Sequence, residues 1–154
     1  MNVEDLLKRH PCSERFRAEL CRELQSVKAQ QPSCSMGREG AHEQYLLGAL
    51  SRLVRQNQMA PYLRLEAVGL LGVLGTECLA ALPLLVAMLD DDYGFIRAAA
   101  CRAVGQIGPA AQIAVDSLRT ALADPDPAVQ RAARTALDRV CPEEPAPHEM
   151  GQTP

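Results

Sequence analysis

Over the C-terminal two thirds of the chain, apolar residues recur in one arrangement. Ile96, Ala100, Ala103, Val104 and Ile107 stand at i, i+4, i+7, i+8 and i+11, a single stripe on a helix. The slots 33 residues later, counted from Ile96 to Val129, hold Val129, Ala133, Ala136, Leu137 and Val140. The slots 33 residues earlier hold Leu63, Ala67, Leu70, Leu71 and Leu74. Every slot is apolar in all three copies. Such a period predicts stacked helical hairpins, because one hairpin cannot bury its apolar face alone.

Each stripe helix has a partner before it. The first pair opens with a helix over about residues 42–56 that turns Leu47, Leu50, Leu53 and Val54 inward, followed by a loop from Asn57 to Pro61. Its second helix runs from Tyr62 to Leu74, and Gly75 closes it. The second pair uses Leu82, Leu85, Met88 and Leu89, turns at Asp90-Asp91-Asp92, and ends at Gly108-Pro109. The third spans Ala111 to Ala123 with Val115, Leu118 and Leu122 inward, turns at Asp124 to Pro127, and finishes with a helix over Ala128–Val140. First-helix positions of pairs one and two match at 35 residues (Leu47 to Leu82), two more than the second-helix offset. The extra residues fall in the loop, where insertions are cheap.

Upstream, residues 2–9 predict a short helix capped by Asn2, with Val3, Leu6 and Leu7 on one side and a stop at His10-Pro11. Ser13 is the expected N-cap of a second helix reaching Ala29, with Phe16, Leu20, Leu24 and Val27 on its apolar edge. Residues 31–40, QPSCSMGREG, have no periodicity and read as a flexible linker. Residues 141–154 are proline-rich and acidic, which predicts a disordered tail. The expected organisation is therefore a helical cap over 1–30, a linker over 31–40, the repeats over 41–140 and the tail.

Composition narrows the picture. The 154 residues are 47% apolar yet only 3% aromatic, without Trp, so Leu and Ala must build the core of closely stacked helices. A net charge of −3 argues against a generic nucleic-acid binder, which needs surplus Lys and Arg. No apolar run approaches the ~18 residues of a membrane span, and MNVEDLLKRH lacks a secretory h-region, so a cytoplasmic location is expected. The six cysteines form no C-x-x-C pair and are read as reduced, structural residues.

The residues also carry a pattern. LDDDYGFIRAAACRAVGQIG and, less completely, LADPDPAVQRAARTALDRV and YLRLEAVGLLGVLG follow L-x-D-x-x-x-x-[VI]-R, A-A-x-x-A-[VL] and G-x-[IVL]-G. This resembles HEAT repeats, in particular the short HEAT-like repeats of phycobiliprotein lyases, over about residues 41–140. The resemblance implies an all-α fold, a short α-solenoid of three HEAT-like hairpins with N-terminal capping helices. It further implies an Asp–Arg ladder between successive repeats, with rungs Arg64–Asp91 and Arg97–Asp124; Gln58 and Gln130 replace the outer acid and base. Solvated loop acids and helix-start arginines are the plainer reading of the same residues.

Catalytic constellations are not in view. His10, His42 and His148 are spread over an N-terminal turn, a helix start and the tail. Deoxyhypusine hydroxylase, an enzyme of HEAT-like repeats, binds iron through His-Glu pairs at matching helix starts. Here those starts hold Leu63-Arg64, Ile96-Arg97 and Val129-Gln130, while His42-Glu43 opens the wrong helix and His148-Glu149 lies in the tail. No metal or cofactor is expected, and a metal-dependent hydroxylase is the remote alternative.

The surface that draws interest is the side of each second helix opposite its stripe, which the resemblance places on the concave face. It changes from Leu65, Val68, Gly69 and Gly72, through Ala98, Cys101, Arg102 and Gly105, to Arg131, Arg134, Thr135 and Asp138. Two occupants suit its apolar end: the Phe16–Val27 helix folded back as a cap, or an external segment. Arg131 and Arg134 would suit an acidic peptide, with Glu143 and Glu144 of the tail as an internal candidate and a solvated face as the plainer reading. The expected function is a non-catalytic scaffold or adaptor binding another protein through Leu65, Val68, Arg102, Arg131 and Arg134. The second reading, drawn from the lyase resemblance, is an accessory subunit of a cofactor-handling enzyme. An uncapped end of the stack would also offer a surface for homodimer formation.

Overall fold

The computed structural model describes residues 7–8, 12–30, 38–55, 60–77 and 79–142. Among them every regular element is helical: α1 (Glu14–Gln30), α2 (Arg38–Arg55), α3 (Pro61–Glu77), α4 (Leu82–Ala87), α5 (Gly94–Ile107), α6 (Val115–Ala121) and α7 (Pro127–Val140). Short 3-10 turns flank α4 at Leu79–Ala81 and Met88–Asp90, and another, Gly108–Ala114, leads into α6. The three hairpins are α2/α3, α4/α5 and α6/α7. Their second helices form one layer in which α5 packs against both α3 and α7.

Small residues set the spacing of that layer. A Cβ at Gly72 would lie 2.8 Å from Ala103 Cβ, and one at Gly105 would lie 2.9 Å from Ala136 Cα. Gly72 and Gly105 occupy the same repeat slot, as do Ala103 and Ala136. The α3–α5 contact is thus repeated as α5–α7. All five stripe residues of α3 are buried, as are Ile96, Ala100, Ala103 and Val104 of α5 and Val129, Ala133, Ala136 and Val140 of α7. Burying each large aliphatic side chain contributes about 1.5–3 kcal/mol, and these ridges dominate the core.

The N-terminal helix is joined to the stack. Ser13 Oγ accepts from Phe16 N–H at 3.2 Å, the N-cap bond its position calls for. The Ser13 backbone N–H and hydroxyl both donate to Glu66 Oε2 of α3, at 2.8 and 3.0 Å. Phe16, Leu20, Leu24 and Val27 are buried in the common core, and Arg52 of α2 donates to Ser26 Oγ and to Gln30 of α1. The linker assignment needs revision at one end. Helix α2 begins at Arg38, so Arg38–Gly40 are helical, because a lone glycine in a first turn does not stop a helix flanked by good helix formers. Residues 31–37, most of the predicted 2–9 helix and the tail beyond Pro142 lie outside the described residues.

The first helices of hairpins two and three depart from the expected regular α-helices. The segment assigned to one helix from Ala111 to Ala123 is 3-10 as far as Ala114 and α-helical only over Val115–Ala121. Gly108 has φ 71° and ψ −144°, a conformation open to glycine alone, and Pro109 follows with no N–H to give. The chain therefore restarts after α5 through a loose 3-10 turn. Leu122, expected inward, is exposed at the C-terminal end of α6, and in α2 it is Leu46, with Ala49, Leu50, Leu53 and Val54, that is buried, while Leu47 is only partly so.

Candidate interaction surface

Two Asp–Arg rungs link successive hairpins. Arg64 Nη1 donates to Asp91 Oδ2 at 2.7 Å, with both side chains nearly solvent-free. Arg97 is bidentate on Asp124, Nε to Oδ2 at 2.7 Å and Nη2 to Oδ1 at 2.9 Å. Its Nη1 donates to the carbonyl oxygens of Asp91 and Asp92. Each aspartate also accepts a backbone N–H two residues on, from Tyr93 and from Asp126, which folds the turn tightly. The hydrogen bonds from Arg97 hold the Asp124 carboxyl below the usual carboxylate range, and the same pair raises the Arg97 guanidinium. The rungs differ in completeness. Among the described residues, Arg64 Nε is buried without a hydrogen-bond partner, while the Tyr93 ring centroid lies 5.3 Å from the guanidinium carbon. At the next repeat, Gln130 keeps only the backbone half of the pattern, donating through Nε2 to the Asp124 carbonyl.

Two grooves run between the helices of the α3–α5–α7 layer. The α3/α5 groove, about 390 Å³, is lined mainly by Leu65, Gly69, Val73, Ala99 and Ala103. The α5/α7 groove, about 350 Å³, has a floor of Gly105, Ala128, Ala132 and Ala136 and walls of Arg102, Arg131, Thr135 and Arg139. Arg102 and Gln106 line both. Among the described residues, Arg102, Arg131 and Arg139 are exposed and their guanidinium groups have no hydrogen-bond or ion-pair partner. The α3/α5 side is mostly apolar, with Glu66, already bonded to Ser13, on its lining, and the α5/α7 side carries the three arginines.

A family model for HEAT repeats matches residues 47–138, from within α2 to near the end of α7. The chain belongs to the HEAT repeat family. HEAT repeats generally mediate contacts between proteins, and these inter-helix grooves are formed by the repeated layer itself. No curated protein matches the chain.

Within the HEAT array, the five residues proposed for partner binding do not share one surface. Leu65, Arg102 and Arg131 line the two adjoining grooves. Val68 is fully buried, as is Cys101 in the same slot one repeat on. In the first two repeats that slot is closed to solvent. Arg134 holds it in the last repeat, where it is exposed, but it lines a different groove between α6 and α7, with Val115, Arg119, Leu122 and Leu137. Val68 and Arg134 are therefore removed from the concave-face set. Arg139 and Gln106 were missed, although a helical signal was present: Arg131, Thr135 and Arg139 stand at i, i+4 and i+8, and Gln106 follows Arg102 by one turn.

The remaining chemistry on the HEAT scaffold is quiet. Burial pushes the Cys101 thiol up to about 11, which leaves it unreactive at neutral pH. A further groove, about 760 Å³, is lined by the Asp90–Asp92 turn, Asp124, Ser117 and Thr120, but its Asp91 and Asp124 are the acids of the two rungs. Among the described residues no cluster of His, Cys, Asp and Glu is arranged to hold a metal ion, and no helix is long and apolar enough to cross a membrane. His10 and His148 lie outside the described residues.

Proposed function

We propose that this HEAT-repeat protein is a non-catalytic cytoplasmic adaptor or scaffold that binds another protein through the exposed surface of α3, α5 and α7. The observation that carries this reading is the pair of grooves meeting at Arg102, rimmed by guanidinium groups without partners among the described residues. Rigid helices hold these side chains, so little backbone ordering is needed on binding. The non-catalytic part rests on chemistry. The charged side chains of the basic groove are arginines, which stay protonated at neutral pH and cannot serve as general bases.

The test is affinity capture with mass spectrometry using the wild-type chain and the Arg102→Glu, Arg131→Glu double variant. Both positions are exposed, so helicity by circular dichroism should match wild type. The expected result is loss of one or more specific partners from the variant. An unchanged partner list with intact helicity would remove this surface from the function.

A further inference from the structure

We propose that the α5/α7 groove is the seat of an extended acidic segment of the partner protein, with alternate carboxylates paired to Arg131, Arg102 and Arg139, and that the α3/α5 groove takes apolar residues next to those acids. This deepens the adaptor reading and rests on it. Arg131 and Arg139 lie two turns apart on one face of α7, about 12 Å at 1.5 Å per residue. Arg102 stands across the groove on α5. Alternate side chains of an extended segment recur every ~6.6 Å, so acids at i and i+4 span the two α7 arginines and the acid between them meets Arg102. The planar guanidinium binds a carboxylate through two parallel hydrogen bonds, and Gln106 and Thr135 add neutral partners at the same rim.

Phosphate would satisfy the arginines as well as carboxylate does, so the rest of the surface decides between a polypeptide and a polynucleotide. The floor is alanine and glycine, and at Arg102 the groove opens onto Leu65, Val73 and Ala99. Neither groove presents an aromatic ring on which a base could stack. The chain as a whole is acidic, with net charge −3, which repels a long polyanion beyond the groove itself. A short acidic peptide with apolar residues at one end meets all of these conditions.

The experiment is fluorescence anisotropy on the full chain. The probe is a fluorescein-labelled twelve-residue peptide with Leu and Val in its first four positions and Glu alternating with Ser in the rest. Saturable binding that weakens with salt is expected. Arg102→Glu with Arg139→Glu should weaken it at least ~10-fold, the loss of one or two charge-assisted bonds. Arg119→Glu with Arg134→Glu changes net charge by the same amount on the separate α6/α7 groove, and should leave affinity within about twofold. An equal loss in both double variants would overturn the proposal, as would tighter binding of a twelve-nucleotide single strand. A probe with Gln in place of Glu that binds equally well would remove the acidic occupant alone. The adaptor reading would survive that outcome, because it stands on the capture experiment.

Discussion

Helices α3 and α7 occupy equivalent places in the first and last hairpins, yet their surfaces are opposite in character. PYLRLEAVGLLGVLG is apolar on nearly every side, whereas PAVQRAARTALDRV alternates its stripe with arginines, Thr135 and Asp138. Their surroundings account for the difference. Helix α3 has the N-cap of α1 bonded at Glu66 and packs against α2, α4 and α5. Helix α7 meets α5 and α6 and the turn between them. A helix that is apolar all round is a buried one, and a helix with neighbours on part of its circumference keeps one stripe. The slot Val68, Cys101, Arg134 shows this in three residues: fully buried, fully buried, exposed. The gradient along the array therefore records mainly how many neighbours each helix has. Only what remains exposed after that correction belongs to a binding surface.

The strongest way to break the comparison is to place one charge in both ends of that slot. Val68→Asp buries an unpaired carboxylate among Leu and Ala and should cost more than about 4 kcal/mol, much of the stability of a small domain. Arg134→Asp should change stability by less than about 0.5 kcal/mol. Urea unfolding followed by circular dichroism measures both. Similar losses at the two positions would mean that Arg134 is packed as Val68 is.

The fold was largely readable because its causes are local and periodic. Three stripes at one spacing, Gly108-Pro109 as a stop, and Ser13 as a cap each act within a few residues; Gly75, expected to close α3, instead lies inside it against Ile107, and the helix continues to Glu77. The two rungs could be named from the family pattern, since Asp91 and Asp124 sit at turns whose spacing to the helix starts is constant. What the pattern could not convey was which helix covers which. Leu65 and Val68 are one turn apart on α3, and only the placement of the neighbouring helices separates a groove-lining residue from a core one. Likewise, Arg131 and Arg134 look like a pair along α7 but face different grooves, while Arg139, eight residues from Arg131, shares its groove.

The rungs allow a second, smaller test. Removing one partner of a buried pair costs about 3–5 kcal/mol by leaving the other uncompensated. Asp91→Ala should fall at the upper end, because among the described residues Asp91 supplies the only side-chain oxygen bonded to Arg64. Asp124→Ala should fall at the lower end, because Arg97 keeps the carbonyls of Asp91 and Asp92. The pH profile carries the same comparison. The folded-state pKa of Asp124 is depressed, so its contribution is complete above the ordinary Asp value of about 3.9 and is lost as pH falls through the folded value. Arg97→Gln should flatten that part of the acid limb, which denaturant titrations between about pH 2 and 5 would detect.

The smallest effect concerns the spacing of the helix layer. Gly72, Gly105 and Asp138 hold one slot in the three repeats, with a following inner helix described for the first two only. In an open helix, alanine is favoured over glycine by about 1 kcal/mol, so Gly105→Ala would stabilise if packing were indifferent. The Cβ would instead lie 2.9 Å from Ala136 Cα, a backbone atom that moves only if α7 shifts away from α5. Overpacking of this kind costs about 1–3 kcal/mol, which outweighs the propensity gain and reverses the sign. Asp138→Ala, with no helix to displace, should stabilise by a few tenths of a kcal/mol through propensity alone. The sign at Gly105, read from a shift in urea midpoint, decides between a fitted inter-repeat contact and a loose one, and a loose contact would let the α5/α7 groove change its width.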